Sequence, residues 1–288
     1  MEYYSFNRYL RNRFGCKVYK ISINGGFTCP NRDGTCGTRG CIFCSAGGSG
    51  DFAEDPRLSV TQQIEKGKLR VQNKIKSGKY IAYFQAFTNT YAPVEVLRKK
   101  FTEAIEHPDI VMLSVATRPD CLPDDVIDLL AQLNTIKPVS VELGLQTIHQ
   151  KSADYIRRGY NLACFDDAVC RLKEAGLEVV CHIILGLPGE SKSDMLQSVD
   201  YACKSGINGI KLQLLHVLKH TDLEKEYRAG NFKTLTFEEY LDIIKSCVKI
   251  IPKEIVIHRL TGDGAKKDLI APLWSADKKK VLNAISKL

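Results

Sequence analysis

Four cysteines that lie close together provide the clearest opportunity for metal chemistry in this sequence. The segment CPNRDGTCGTRGCIFC, residues 29–44, contains Cys29, Cys36, Cys41 and Cys44, the last two in a C-x2-C spacing. Thiolates bind zinc or iron–sulfur clusters, and paired thiols also form redox-active dithiols. The glycines of the segment give its backbone the freedom to wrap around a bound group.

The spacing of these cysteines leaves three interpretations open. A structural zinc site would use all four thiolates, a redox dithiol would use Cys41 and Cys44 alone, and a three-thiolate cluster would leave one iron open. Zinc knuckles usually contain two C-x2-C pairs, whereas this segment has one pair, with Cys29 and Cys36 widely spaced. The spacing alone does not exclude Cys36 as a ligand.

The elements around this segment alternate between strand-like and helix-like patterns. Helical periodicity is clear over residues 59–75, where a capping box opens the helix, and over 191–204. Short runs of β-branched and apolar residues predict six strands, over 17–24, 80–85, 110–116, 139–145, 178–185 and 209–215. Six βα units in a row predict a parallel sheet, either open and doubly wound or curled as a barrel.

This alternation breaks near residue 221. Beyond it we predict a helix over 237–250, a strand over 255–260 and a last helix over 278–286. We therefore divide the chain into a core, residues 1–220, and a C-terminal extension, residues 221–288, that packs on the core.

Polar and glycine-rich loops follow five of the predicted strands. They cover residues 25–29, 85–89, 117–120, 144–147 and 186–190. Parallel α/β proteins carry their chemistry at the carboxyl ends of the strands. The cysteine segment begins in the first of these loops, so we expect it to belong to a catalytic site.

The composition narrows the class of protein. With 11 cysteines in 288 residues and an N-terminus that does not resemble a signal peptide, we expect free thiols or metal ligands in a cytoplasmic protein. No apolar run is long enough to span a bilayer, which predicts no membrane association. The net charge of +8 fits a nucleic-acid or other acidic partner.

The cysteine spacing C-x11-C-x2-C, with Phe43 inside the last pair, resembles the radical S-adenosylmethionine (SAM) superfamily. The resemblance is strongest to its YhcC/YtqA-like proteins, which are related to the catalytic subunit of Elongator. It extends over most of the chain through the stretches GFTCPNRDGTCGTRGCIFC, YFQAFTNTYAP, SVATRPDCLPDDV, VELGLQTIHQ, HIILGLPGE and HRLTGDG. The fold that it implies is a partial (β/α)6 TIM-type barrel with a short C-terminal α/β extension.

The same resemblance implies the cofactors. It makes Cys29, Cys41 and Cys44 the ligands of one 4Fe–4S cluster and leaves Cys36 outside the set. The open iron would bind SAM, and one electron from the reduced cluster would cleave SAM to methionine and a 5′-deoxyadenosyl radical. A reduced flavodoxin or ferredoxin-type protein is the implied electron donor.

Candidate SAM contacts follow from the family's strand-end loops. The second-strand loop offers Gln85, Thr88 and Asn89 as acceptors for the SAM amino group. At the end of the fourth strand, Glu142 and Gln146 are candidates for the ribose hydroxyls. The alternative for Glu142 is an ion pair at the surface.

Further candidates lie after the fourth and fifth strands and beside the cluster. Arg158 resembles the arginine that holds the SAM carboxylate in related branches, and an arginine fork suits a carboxylate. Its neighbour Arg157 is the alternative. Gly186 belongs to a loop that resembles the adenine-binding loop, and Phe43 lies between two predicted ligands.

Three residues are candidates for acting on the substrate. Arg118 either pairs with Asp120 or faces the substrate. Cys121 in the same loop is a candidate hydrogen-atom donor, with a structural thiol as the alternative. His258, at the end of the late strand, is a candidate substrate contact.

The segment KLQLLHVLKHTDLEKEYRAGNFKTLTFEEY, residues 211–240, resembles part of the Elongator catalytic subunit, which modifies wobble uridines of tRNA. Together with the net charge, it makes tRNA the expected partner and the C5 side chain of a wobble uridine the expected target. One alternative is a radical SAM enzyme for a small metabolite such as a tetrapyrrole-like acid. Another is a zinc-stabilised nucleic-acid-binding module without catalysis.

Overall fold

The computed structural model describes residues 2–73, 78–262 and 264–288. The helix predicted over 59–75 is present as Val60–Val71, and the last two residues of the predicted range lie outside the described residues. The same holds for Asp263 in the HRLTGDG stretch.

The described chain is built around a seven-stranded parallel sheet. Six of its strands are those predicted from sequence. The strands of the structure are β1 (Tyr19–Ile23), β2 (Tyr80–Phe84), β3 (Ile110–Thr117), β4 (Val139–Gln146), β5 (Glu178–Leu185), β6 (Gly209–Leu214), β7 (Val217–Leu218), β8 (Val256–Arg259) and β9 (Leu269–Ala271).

The order of the strands decides between the two predicted sheet types. The sheet runs β1-β2-β3-β4-β5-β6-β8, and each neighbouring pair is parallel. A doubly wound sheet reverses its strand order at a switch point, and this sheet does not. The strands instead follow one another into a curled half-barrel, which confirms the predicted partial TIM-type barrel.

Helices with one apolar face cover the outside of the sheet. Three of them begin with capping boxes, at Ser59, Ser191 and Thr236, which satisfy backbone N–H groups of the first turn. The helices are α1 (Phe6–Phe14), α2 (Pro30–Asp33), α3 (Val60–Val71), α4 (Val94–Glu106), α5 (Asp124–Asn134), α6 (Gln150–Tyr155), α7 (Leu162–Glu174), α8 (Lys192–Lys204), α9 (Asp222–Arg228), α10 (Phe237–Ile250) and α11 (Lys278–Ser286), with 3-10 turns at Pro119–Cys121 and Leu273–Ala276.

The two faces of the sheet differ in polarity. On β6, Ile210, Leu212 and Leu214 belong to the apolar core, whereas Lys211 and Gln213 line a cavity inside the barrel. Successive side chains of a strand point to opposite faces, so this alternation assigns one face to the helices and the other to the barrel interior. The interior is thus polar enough to hold a charged ligand.

The last part of the chain contributes to the same sheet. The late strand predicted over 255–260 is β8, which pairs in parallel with β6, while β7 and β9 form a separate antiparallel pair. The N-terminal segment lies along β8, where Ile257 N–H donates to the carbonyl of Tyr4 at 2.8 Å.

Among the described residues, no helix has the length and apolar character needed to cross a membrane. The division of the chain near residue 220 stays a prediction.

Candidate active site at the carboxyl edge of the sheet

Two adjoining cavities lie inside the barrel and at its carboxyl edge. The smaller, of about 180 Å³, is lined by Cys29, Cys41 and Cys44 together with residues from the ends of the strands. The larger, of about 810 Å³, extends through the barrel interior, and Phe43 and Cys44 line both. The cysteine segment therefore lies at the edge where the sequence predicts the chemistry.

The local fold of the cysteine segment separates Cys36 from the other three cysteines. Cys29 precedes the short helix α2, which begins at Pro30. Gly34 ends that helix with φ +99°, a conformation that glycine adopts without strain. Cys36 lies beyond this turn, where it is exposed and lines neither cavity, whereas Cys29, Cys41 and Cys44 are half-buried.

Hydrogen bonds hold the segment around the three cysteines. Asn31 Nδ2 donates to Cys41 Sγ at 3.4 Å and to the carbonyl of Arg157 at 2.7 Å. Burial raises the pKa of the Cys41 thiol to about 12 and also raises that of Cys44. A bound metal ion would stabilise the thiolate form at both positions.

The positions of the sulfur atoms bear on what this segment can bind. Among the described residues, no three ligand atoms of the segment lie within 4.8 Å of one another. A tetrahedral zinc site holds its sulfur ligands roughly 3.8 Å apart, given Zn–S bonds of about 2.3 Å. The thiolates of a 4Fe–4S cluster bind different iron atoms and lie farther apart. The cysteines of the segment are therefore not drawn together as in a preformed tetrahedral zinc site.

Arg158 combines burial with an unused donor. It is 2% exposed and lines the smaller cavity. Nη1 donates to the carbonyls of Leu145 and Thr147 at 3.0 and 2.6 Å, and Nε donates to that of Tyr160 at 3.0 Å. Nη2 is buried without a hydrogen-bond partner. A buried guanidinium nitrogen without a partner is unfavourable, and a carboxylate in the cavity would satisfy it.

The alternative, Arg157, lies outside this arrangement. Its Nη1 pairs with Asp222 at 2.7 Å, and the residue lines neither cavity. The geometry therefore separates two adjacent arginines that the sequence left as alternatives.

The second-strand and fourth-strand candidates divide between the cavities and the core. Gln85 and Gln146 line both cavities, and Gln146 Oε1 is buried without a partner. Thr88 is buried and lines the smaller one. Asn89 lines neither, and its Nδ2 donates to the carbonyls of Phe84 and Ala116 at 3.1 and 2.8 Å. Asn89 thus joins the ends of β2 and β3.

Glu142 lies at the centre of a buried network of charged groups. Oε1 accepts from Lys20 Nζ at 2.5 Å and Ser114 Oγ at 2.8 Å, while Oε2 accepts from His182 Nε2 at 2.8 Å and from Lys211 Nζ. Burial alone would raise the pKa of Glu142, but Lys20 and Lys211 hold it well below its usual value. The ion pair that the sequence offered as an alternative exists, buried rather than at the surface. A ribose contact would require one of these bonds to be exchanged.

The three candidates for acting on the substrate differ in whether they line a cavity. Arg118 lines the smaller cavity and also pairs with Asp120, at 2.9 and 2.6 Å. Cys121 is buried, lines neither cavity, and has its pKa raised by burial. His258 lines the larger cavity and stacks on Phe6, with ring centroids 4.0 Å apart.

Gly186 lies away from both cavities. Its φ is +89°, and its N–H donates to Met195 Sδ at 3.1 Å. The adenine-binding role predicted for its loop stays a prediction.

Several lining residues were not identified from sequence. Among them, Lys20, His182 and Lys211 line the barrel interior from β1, β5 and β6. Tyr160 places its ring under the guanidinium groups of Arg118 and Arg158, at 5.0 and 4.9 Å. A lysine inside a predicted apolar strand is a signal of an inward position, because a buried charge needs a partner.

Family models and a bacterial relative together match nearly the whole chain. The family model of the radical SAM superfamily matches residues 32–202, and the radical SAM C-terminal domain matches residues 207–288. The YtqA protein of Bacillus subtilis is 47% identical over 285 residues, covering 99% of this chain and 88% of its own.

Two archaeal proteins extend the comparison. A tRNA uridine(34) acetyltransferase of Methanocaldococcus jannaschii is 29% identical over 168 residues, covering 57% of this chain and 30% of its own. The structure of an N-terminally deleted Elp3 from Methanocaldococcus infernus matches with a TM-score of 0.65 at 18% identity, over 91% of this chain and 63% of that one.

Proposed function

Because the chain belongs to the radical SAM superfamily, and is thus an enzyme that uses a 4Fe–4S cluster and SAM, we propose that it modifies the C5 side chain of a tRNA wobble uridine. When bound and reduced, the cluster supplies the electron that cleaves SAM and generates the radical. The remaining functions fall to this chain's own residues, which must bind, orient and shield the reactants.

The proposed cluster ligands are Cys29, Cys41 and Cys44. These three line one cavity, whereas Cys36 is exposed outside it. Three thiolates leave one iron for the amino and carboxylate groups of SAM. Iron bound to these half-buried thiols would also stabilise their thiolate form.

The single observation that carries the SAM assignment is the unpartnered Nη2 of Arg158 in that cavity. We assign it to the SAM carboxylate. Gln146 Oε1, buried and also unpartnered, is the proposed acceptor for a ribose hydroxyl. Gln85 and Thr88 remain the proposed acceptors for the amino group, since both line the cavity.

The tRNA assignment rests on similarity and charge. The chain is similar to a protein named for its action on tRNA uridine 34. Its net charge of +8 favours a phosphate-rich partner. Two exposed lysines of the C-terminal part, Lys266 and Lys278, line a third cavity that shares Lys278 with the larger cavity, and they could contact a phosphate backbone there.

The test compares modified nucleosides of total tRNA from a strain with and without the gene. We expect one wobble nucleoside to disappear and its precursor to accumulate. Expression of the natural chain should restore the profile, Cys29→Ala should not, and Cys36→Ala provides the matched control that should. An unchanged profile in the deletion strain would contradict the tRNA proposal.

Cleavage of SAM by the reduced, purified protein tests the radical enzyme separately. A reduced flavodoxin or ferredoxin remains the proposed electron donor.

A further inference from the structure

We propose that Lys20 and Lys211, on β1 and β6, bind an anionic group of the substrate, either a carboxylate or a phosphate. The inference rests on the proposed function, because it places the substrate of that enzyme in the barrel cavity. It adds the chemical class of the group that is recognised and the residues that recognise it.

The two lysines share one carboxylate. Lys20 Nζ lies 2.5 Å from Glu142 Oε1, and Lys211 Nζ bonds to Oε2. Both ammonium groups also lie over the ring of Tyr83, at 4.4 and 4.6 Å from its centroid. Burial lowers the pKa of Lys211 well below its usual value, the charge of Glu142 opposes this, and Lys20 and Arg259 lower it further. A second anion beside the two lysines would stabilise the charged form of both.

The other polar groups of the network do not supply a second negative charge beside the lysines. Burial and the nearby Lys211 lower the pKa of His182 to about 4, so the imidazole is neutral at physiological pH. Its Nε2–H donates to Glu142, and its Nδ1 accepts from Gln213 Nε2 at 3.2 Å. The hydroxyls of Ser114 and Tyr83 are uncharged partners of the lysines.

The Glu142 carboxylate has no acceptor capacity left for additional donors. Its two oxygens already accept from four donors. Each lysine ammonium has three N–H donors. Among the described residues, Lys20 has hydrogen bonds to Glu142 and Ser114, and Lys211 to Glu142 and Tyr83. Each lysine therefore retains a donor for an acceptor that the protein does not provide.

The lysines also line the cavities inside the barrel. Lys211 lines both cavities, including the one that holds Cys29, Cys41 and Cys44, and Lys20 lines the larger one. Glu142 and Asp51 are the carboxylates among the described residues that line the two cavities, and lysine and arginine side chains outnumber them. An anionic group held by both lysines would therefore lie in the larger cavity, which Cys44 also lines.

The test uses tRNA from a strain that lacks the protein as substrate for the purified, iron-loaded enzyme. Lys20→Met and Lys211→Met should lower kcat/KM for nucleoside modification about tenfold to a hundredfold, the size of one charge-assisted hydrogen bond. Lys204→Met is the matched control, since Lys204 is exposed on α8 and pairs with Asp200, and it should keep kcat/KM. Lys20→Arg, which keeps the charge, should recover much of the loss.

Iron content and thermal unfolding show whether each variant is folded. Lys20 is more exposed than Lys211, at 20% against 6% of the side chain, so Lys20→Met keeps the proposal testable if Lys211→Met does not fold. A folded Lys20→Met enzyme with the kcat/KM of the natural chain overturns the inference and leaves the proposed function standing. An unchanged tRNA profile in the deletion strain overturns both.

The nucleoside that accumulates in the deletion strain identifies the source of the anion. Mass and retention on an anion exchanger show whether the base of this precursor carries an acidic group. If it does, the group that the lysines bind is that carboxylate. If the precursor is neutral and the lysine variants are impaired, the lysines bind a phosphate of the RNA.

Discussion

Replacement of Arg158 by lysine tests the proposed SAM site most directly. The change keeps one positive charge but removes the fork whose Nη2 has no partner in the protein. A lysine ammonium at this depth would be held by the carbonyls of Leu145 and Thr147, which Nη1 of Arg158 now contacts at 3.0 and 2.6 Å. A lysine ammonium held by these carbonyls could not also donate to the SAM carboxylate, because lysine lacks the planar fork of arginine.

The expected size of the effect follows from the bond that is lost. A hydrogen bond between charged groups contributes about 1.5–3 kcal/mol, and about 1.4 kcal/mol corresponds to tenfold in a dissociation constant. Arg158→Lys should therefore weaken SAM binding roughly tenfold to a hundredfold. Weakened bonds to the buried carbonyls should cost on the order of 1–3 kcal/mol in the free energy of unfolding.

Equilibrium dialysis of labelled SAM against the iron-loaded, unreduced protein measures the affinity without turnover. Arg157→Lys is the matched control, because Arg157 pairs with Asp222 and lines neither cavity. The reasoning is refuted if Arg158→Lys folds, keeps its iron and binds SAM as tightly as the natural chain. An equal loss in the Arg157 variant would also refute it.

Three further predictions concern the ligands, the backbone and pH. Cys29→Ala should lose most of the iron after anaerobic reconstitution while Cys36→Ala keeps it, and the opposite iron contents would reverse the ligand assignment. Gly159→Ala should lower the free energy of unfolding by about 1–3 kcal/mol. The φ of Gly159 is +85°, and a Cβ added there would lie 2.8 Å from Asn31 Oδ1. Gly176→Ala, with φ +72° and open space, should cost less, and equal losses in denaturant titrations would contradict the packing argument. The pKa of His182 is lowered to about 4 in the folded protein, so the unfolded chain binds its proton first as pH falls. Stability should drop between pH 6.5 and 4 by up to about 3 kcal/mol, and His182→Gln should lack this part of the drop in denaturant titrations.

The sequence predicted the sheet well because its signals are local. Each of the six core strands is a short apolar run, and their predicted ranges overlap the strands of the structure throughout. The order of parallel strands then follows from short right-handed connections, which bring consecutive strands together. The late strand was also predicted, but its pairing with β6 is a contact between distant parts of the chain that no local pattern encodes.

The candidate site was only partly predictable, because its side chains meet across long sequence separations. Lys20 and Glu142 are 122 residues apart, and Lys211 and Glu142 are 69 apart. Loop position also did not specify where a side chain points. Asn89 occupies a strand-end loop, yet its side chain is buried because it donates to carbonyls at the ends of two parallel strands. Cys121, in the next such loop, is also buried, and its Sγ contacts Asp120.

The segment after β4 links the cysteine loop to the proposed SAM site. Asn31 donates to Cys41 Sγ and to the carbonyl of Arg157, and Arg118 Nη1 donates to the carbonyl of Arg158 at 3.0 Å. The Arg158 side chain is in turn held by two carbonyls at the end of β4, those of Leu145 and Thr147, which Nη1 contacts, while Tyr160 lies beneath it. The same few residues therefore set the position of the sulfur ligands and of the free guanidinium nitrogen. In the proposed site, SAM would contact both the open iron and Arg158, and a shift of either group relative to the other would weaken that binding.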